Sequence, residues 1–251
     1  MTDKNIKRSK MLGEEDIKSL LLKFSIPAIV GMVVNALYNV VDQIFIGKGV
    51  GSLGIAGVFI GNPVALILMA FSMLVGIGGN SLVSIRLGQN KNEEAQKIFG
   101  NAFVLLIVIS LILSTIGLIF LEPMLRFFGA SETILPYSMA YMKIILLGGP
   151  LQSIGFGLNN FIRGEGNPRT AMTTMLLGAI LNTILDPIFI FVFNMGIRGA
   201  ALATIIAQGA SAIWVIRYFY SEKSMLKLKK ESMKLDKNII KEIISIGFAP
   251  F

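Results

Sequence analysis

The chain alternates between long stretches that carry no Asp, Glu, Lys or Arg and short polar intervals. The uncharged stretches run Phe24 to Val41, Gly49 to Ile85, Ile98 to Leu121, Ile144 to Ile162, Thr170 to Leu185, and Gly199 to Ile216. About 20 apolar residues in a helix span a bilayer, so the pattern predicts six transmembrane helices. They are placed at 20–46, 54–78, 97–120, 138–162, 169–193 and 199–220, an all-α polytopic bundle. The first span is too long for a signal-peptide core and lies behind a charged arm, residues 1–19.

Composition agrees with this reading. Of 251 residues, 54% are hydrophobic and only 15% charged, against roughly a quarter charged in ordinary soluble domains. The chain has neither His nor Cys. That excludes a Ser–His–Asp triad, a thiol nucleophile, disulfides and a Cys/His zinc site, so no enzyme chemistry is expected.

The net charge of +8 would suit nucleic acid, but the positions of the charges give a topological explanation. When the polar intervals are assigned to alternating sides, 19 of the 23 basic residues fall on one side. Lys48, Arg126, Lys143 and Arg198 are left on the other. The positive-inside rule then predicts a cytoplasmic N-terminus in a bacterial or archaeal cell membrane, and no nucleic-acid partner.

Residues 221–239 form a basic interval, read either as a segment lying on the membrane surface through Leu226, Leu228, Met233 and Leu235 or as a solvated connector. Beyond it, Ile240, Ile243, Ile244, Gly247, Ala249 and Pro250 fall 223 positions after Ile17, Leu20, Leu21, Phe24, Ile26 and Pro27. Transporters are commonly built from repeated bundles. Residues 240–251 are therefore expected to begin a second lobe, and the native protein to be about twice as long.

Two acidic residues lie deep in apolar spans, Asp42 and Asp186. A carboxylate at mid-membrane costs about 2.5–3.5 kcal/mol even on lenient scales, so each needs a compensating role. Counting from the predicted helix ends places Asp42, Asp186 and Thr204 at one depth. Asn182 precedes Asp186 by one turn, and Pro187 deprives the Thr183 carbonyl of its helical donor. Asn35, Tyr38 and Asp42 form a polar stripe on the first helix, with Asn39 beside it, and Gln208 lies one turn beyond Thr204. An all-oxygen donor set suits a proton or a hard monovalent cation. The alternative is that these groups only bind helices together. Gly76, Gly78, Gly79 and Asn80 are read as the end of the second helix. Pro27 and Pro63 are expected kink points, and Gly57 and Gly61 are spaced for close helix packing.

Three segments carry a resemblance. Pro27 with Leu37-Tyr38-Asn39-Val40-Val41-Asp42-Gln43-Ile44-Phe45-Ile46-Gly47, Arg163-Gly164-Glu165-Gly166-Asn167-Pro168, and Leu181-Asn182-Thr183-Ile184-Leu185-Asp186-Pro187-Ile188-Phe189 resemble the multidrug and toxic compound extrusion (MATE) transporters. The likeness is to their bacterial and archaeal branch and covers the N-terminal lobe of a twelve-helix fold. It implies antiport, in which an entering cation, Na⁺ or H⁺, drives export of cationic or amphipathic drugs and toxins. It assigns cation coupling to Asp42, Asn182, Asp186 and Thr204. Asn35 comes from the polar stripe, whereas Tyr38 and Asn159 come from the resemblance as cavity residues, with Pro27 as a hinge. No cofactor beyond the coupling ion is implied. The partners are the bilayer, the transported compounds and the second lobe. The alternatives are a lipid-linked precursor or polysaccharide flippase, disfavoured because no basic residue lies deep in a span, and a half-transporter acting with a partner chain.

Overall fold

The computed structural model describes residues 16–249, so most of the 1–19 arm and the Pro250 counterpart of Pro27 lie outside the described residues. Among the described residues nine α-helices follow one another: α1 Ile17–Gly49, α2 Ser52–Gly88, α3 Asn92–Ile119, α4 Leu121–Phe127, α5 Leu135–Leu147, α6 Gly149–Gly164, α7 Pro168–Pro187, α8 Ile197–Tyr220 and α9 Lys237–Phe248. A π turn, Ile188–Val192, extends α7, and a 3₁₀ turn, Lys230–Met233, precedes α9. Five of these helices are long and apolar enough to cross a membrane: α1, α2, α3, α7 with its π turn, and α8.

The predicted fourth span is two helices rather than one. Pro150 has no N–H to offer the Leu146 carbonyl, and its ring would press on that carbonyl. The register restarts there: Leu151 and Gln152 both donate to the Gly148 carbonyl, at 2.9 and 3.1 Å. Hydropathy cannot register such a break, because both halves are apolar. The second helix is also longer than predicted. It continues to Gly88, so Gly76, Gly78 and Gly79 lie inside it, not at its end. α1 and α2 run unbroken through Pro27 and Pro63.

The helices bury two apolar clusters, one at each end of the bundle. At the lysine-rich end, Phe99 stacks on Phe161 at 5.2 Å and on Phe219 at 4.5 Å between ring centres. Val75, Leu106, Leu158 and Val215 pack around them. At the opposite end, Ile46, Leu68, Leu121, Leu125 and Met142 form the second cluster. The predicted close approach at Gly57 is present. A Cβ on Gly57 would lie 2.9 Å from the Tyr137 side chain, and the Ser138 hydroxyl donates to the Gly57 carbonyl at 2.9 Å.

Of the four apolar residues expected on a membrane surface, two turn into the protein, and Leu235 stays 50% exposed. Leu226 and Leu228 are buried in the lysine-rich-end cluster, and the chain from 221 to 236 is strapped across the helix ends. Glu165, 1% exposed, accepts from the Tyr218 hydroxyl at 2.8 Å, the Ser224 hydroxyl at 2.7 Å and the Leu226 N–H at 2.6 Å. Gln96 bonds both backbone groups of Lys227. The Asn101 amide donates to the Lys234 carbonyl at 3.0 Å and its oxygen accepts from the Asp236 N–H at 2.7 Å. Burial raises the pKa of Glu165, and these hydrogen bonds oppose the rise. From the strap the chain enters α9, which packs on α2.

Candidate functional site

α1 is the most exposed of the long helices. Among its 33 residues only Pro27, Gly31, Asp42 and Ile46 are buried. An apolar helix that turns a carboxylate inward while leaving Leu21, Ile29 and Val33 outside is shaped by that carboxylate's surroundings. Those surroundings come from α7, against which α1 packs, and from α8 behind it.

α7 supplies Asn182 and Asp186, 2% and 0% exposed. They face one direction because i and i+4 share a helix face. The Asn182 amide donates to Oδ1 of Asp186 at 3.3 Å and to the Thr204 hydroxyl of α8 at 3.4 Å. Thr204 in turn donates to the Ala200 carbonyl at 3.0 Å. Asp42 of α1, 6% exposed, is buried on the side of α1 that packs on α7, close to Asp186. The structure thus brings together all four residues expected to form the coupling set.

The backbone here is built for proximity. Pro187 ends regular α-helical bonding, and the next turn is π, with Phe193 donating to the Ile188 carbonyl at 3.0 Å. α8 approaches this wide turn so closely that a Cβ on Gly199 would lie 2.8 Å from the Phe189 carbonyl. Glycine is what lets Thr204, further along α8, reach Asn182.

Below the carboxylates opens a cavity of about 80 Å³. Asn35, Tyr38, Asn159, Asn182, Thr204 and Gln208 are on its wall, so Asn35, Tyr38 and Asn159 share one cavity. Asn39 lies beside it, exposed, its amide donating to the Asn35 side-chain oxygen at 3.0 Å. Pro27 lies away from this cavity, toward the lysine-rich end.

Two members of the site carry no signal in the sequence pattern. Gln152 of α6 lines the cavity, and Tyr141 of α5, 8% exposed, lies within reach of Thr204 and close to both aspartates. Tyrosine is ordinary in an apolar helix, so only the predicted depth of Tyr141 could have flagged it.

The buried oxygens show what the site is short of. Asp42 Oδ1, Asp186 Oδ2, Asn182 Oδ1, Asn159 Oδ1, Gln152 Oε1 and Gln208 Oε1 all lack a hydrogen-bond donor among the described residues. Buried polar groups are nearly always satisfied, so a run of unsatisfied acceptors calls for a donor or a cation. The first three lie with the Thr204 hydroxyl in a set whose side-chain acceptors are all oxygen.

The matching family model, MatE, covers residues 27–188. This chain belongs to the MatE family. It is a multi-pass membrane protein with the fold of a MATE N-terminal lobe. It is 31% identical to the multidrug export protein MepA of Staphylococcus haemolyticus, over 95% of this chain and 53% of that protein. The MATE multidrug transporter DinF-BH, solved as a complex with a small molecule, is 44% identical with a TM-score of 0.89, over 95% of this chain and 53% of that one. A MOP superfamily transporter from Pyrococcus furiosus is 27% identical with a TM-score of 0.87, again over 95% and 53%. The chain spans about half the length of the curated relatives it matches.

Proposed function

We propose that the chain forms the cation-coupling lobe of a multidrug antiporter that exports cationic or amphipathic compounds. In this reading residues 20–220 are the first lobe, 221–239 the interlobe strap and 240–251 the start of the second lobe. The lysine-rich end is cytoplasmic and the carboxylates lie toward the outer face. One observation carries the proposal: two aspartates from separate helices are buried beside Asn182 and Thr204, which themselves line a cavity.

Binding of H⁺ or Na⁺ at Asp42, Asp186, Asn182 and Thr204 removes the cost of two adjacent buried charges. It therefore favours whichever arrangement brings α1 against α7. A cationic compound in the cavity lies against Asn182 and Thr204 of the same set and competes for the charge of the two carboxylates behind them. Each ligand weakens the binding of the other, and that reciprocity is antiport. Asn35, Tyr38 and Asn159 supply oriented polar contacts, and Pro27 gives α1 a bending point where a backbone hydrogen bond is missing. Without histidine, any proton coupling runs on carboxylates. A multidrug transporter relative solved with a small molecule and relatives named for multidrug export support the substrate class.

The test is drug resistance in a sensitive host expressing the full-length protein. Asp42→Asn and Asp186→Asn should each abolish resistance at unchanged membrane expression. Full resistance in both variants rejects the coupling role.

A further inference from the structure

We propose that the cytoplasmic mouth of the α1–α7 seam holds a phosphate group, gripped by Arg163. A cavity of about 280 Å³ lies there, separate from the drug cavity and lined by Phe24, Pro27 and Ala28 of α1, by Arg163, and by Pro168 and Met172 of α7. This site goes beyond the transport reading. It rests on that reading only for calling this end of the bundle cytoplasmic.

Arg163 is partly buried at the end of α6, yet its guanidinium is poorly served. One N–H points at the Met175 sulfur at 3.3 Å, a weak acceptor. Among the described residues no carboxylate is within ion-pair reach of it. Glu165, two residues on, has committed its oxygens to Tyr218, Ser224 and Leu226. A guanidinium carries five donors in a planar fork, and the contact with Met175 uses only one of them at the wall of the cavity.

The rest of the wall selects among anions. Pro168, the first residue of α7, has no N–H, and Asn167 caps the Thr170 N–H at 3.3 Å, so α7 contributes here the field of its N-terminal end and no open backbone donor at those two positions. On the same stretch of α1, Leu21, Ile26 and Ile29 are 60%, 55% and 57% exposed, so the helix that forms one wall of the cavity is apolar on its outer side as well. A planar guanidinium fork in the field of a helix N-terminus matches a phosphate, and the apolar surface of α1 lets an acyl chain attached to that phosphate lie alongside the helix. The same guanidinium repels organic cations, so this is not a second drug cavity. Two sources share the chemistry: the headgroup of an anionic phospholipid in the inner leaflet, and free phosphate.

The test uses native mass spectrometry of the full-length protein with phosphatidylglycerol or phosphatidylcholine, and thermal melting in lipid-free detergent with inorganic phosphate. The expected result is one tightly retained phosphatidylglycerol, lost about tenfold more readily from Arg163→Gln, the worth of one charge-assisted hydrogen bond. Phosphatidylcholine retention should be weak in both proteins. If instead millimolar phosphate raises the melting temperature of the wild type and not of Arg163→Gln, the ligand is free phosphate and the site stands. Ala28→Leu fills the cavity without touching the charge and should reduce retention similarly, so the test survives if Arg163→Gln does not fold. Lys237→Gln removes an exposed cation at the same end and should change nothing. Equal lipid retention and equal melting in wild type and Arg163→Gln, or equal losses in Arg163→Gln and Lys237→Gln, would overturn the proposal. Drug efflux is not read here, so the site and the transport reading can fail separately.

Discussion

The side-chain amide of Asn182 donates to Asp186 at 3.3 Å across one turn of α7, and the same nitrogen reaches Thr204 at 3.4 Å. One neutral side chain thus holds an acid and a hydroxyl from two helices in register. Asn182→Ala leaves Asp186 with one partner fewer in a buried site. The expected cost is about 1–3 kcal/mol, with loss of efflux as well. Thermal unfolding in detergent and a resistance assay measure the two effects.

Glu165 anchors the strap through three donors. Glu165→Ala strands the buried Leu226 N–H and leaves the Tyr218 and Ser224 hydroxyls only their backbone acceptors, and should destabilise the lobe by about 1–3 kcal/mol. Limited proteolysis near residues 221–236 would register the loosened strap.

The same residue predicts a pH dependence. Burial holds the Glu165 pKa above the ordinary glutamate value, so the folded protein keeps this proton where the unfolded chain has lost it. The proton-linked contribution to stability is fully present below the unfolded pKa. It is lost as pH rises through the folded one. Glu165→Gln, which cannot titrate, should flatten the part of the melting-temperature profile that falls as pH rises above the ordinary glutamate range. A profile that parallels the wild type would contradict the assignment.

α9 meets α2 where two glycines face each other. A Cβ on Gly78 would strike the backbone of Ile243 and Gly247, and one on Gly247 would strike Leu74. Gly78→Val should therefore push α9 away at a cost of about 1–3 kcal/mol. Crosslinking between cysteines introduced on α2 and α9 would fall with it.

Phe99 is fully buried between Phe161 and Phe219. In a membrane the loss on truncation comes from the cavity and the missing contacts more than from water exclusion. Phe99→Ala should cost about 2–4 kcal/mol, read by thermal unfolding.

The spans were legible because a bilayer forbids charge over about 20 residues, and six uncharged runs answer to that rule. The break at Gly148 was not, since Pro150 changes the backbone without changing hydropathy. Nor was the length of α2 past Gly78, because a helix can leave the membrane and continue in polar residues. The strap was hidden for another reason. Glu165, Gln96 and Asn101 hold it from distant positions by bonds to backbone, which leave no periodic trace. Asp42 and Asp186 stood out by the cost of placing a carboxylate in an apolar span. Tyr141 and Gln152 carry no charge, so only the fold brings them to the cavity.

Coupling between the two aspartates and drug movement is the claim on which the transport reading depends. Full-length protein reconstituted into vesicles should export a cationic dye when an inward Na⁺ or H⁺ gradient is imposed, and stop when the gradient is collapsed. Asp42→Asn and Asp186→Asn should bind the dye yet show no gradient-driven export. Export by either variant that still follows the imposed gradient would contradict that coupling.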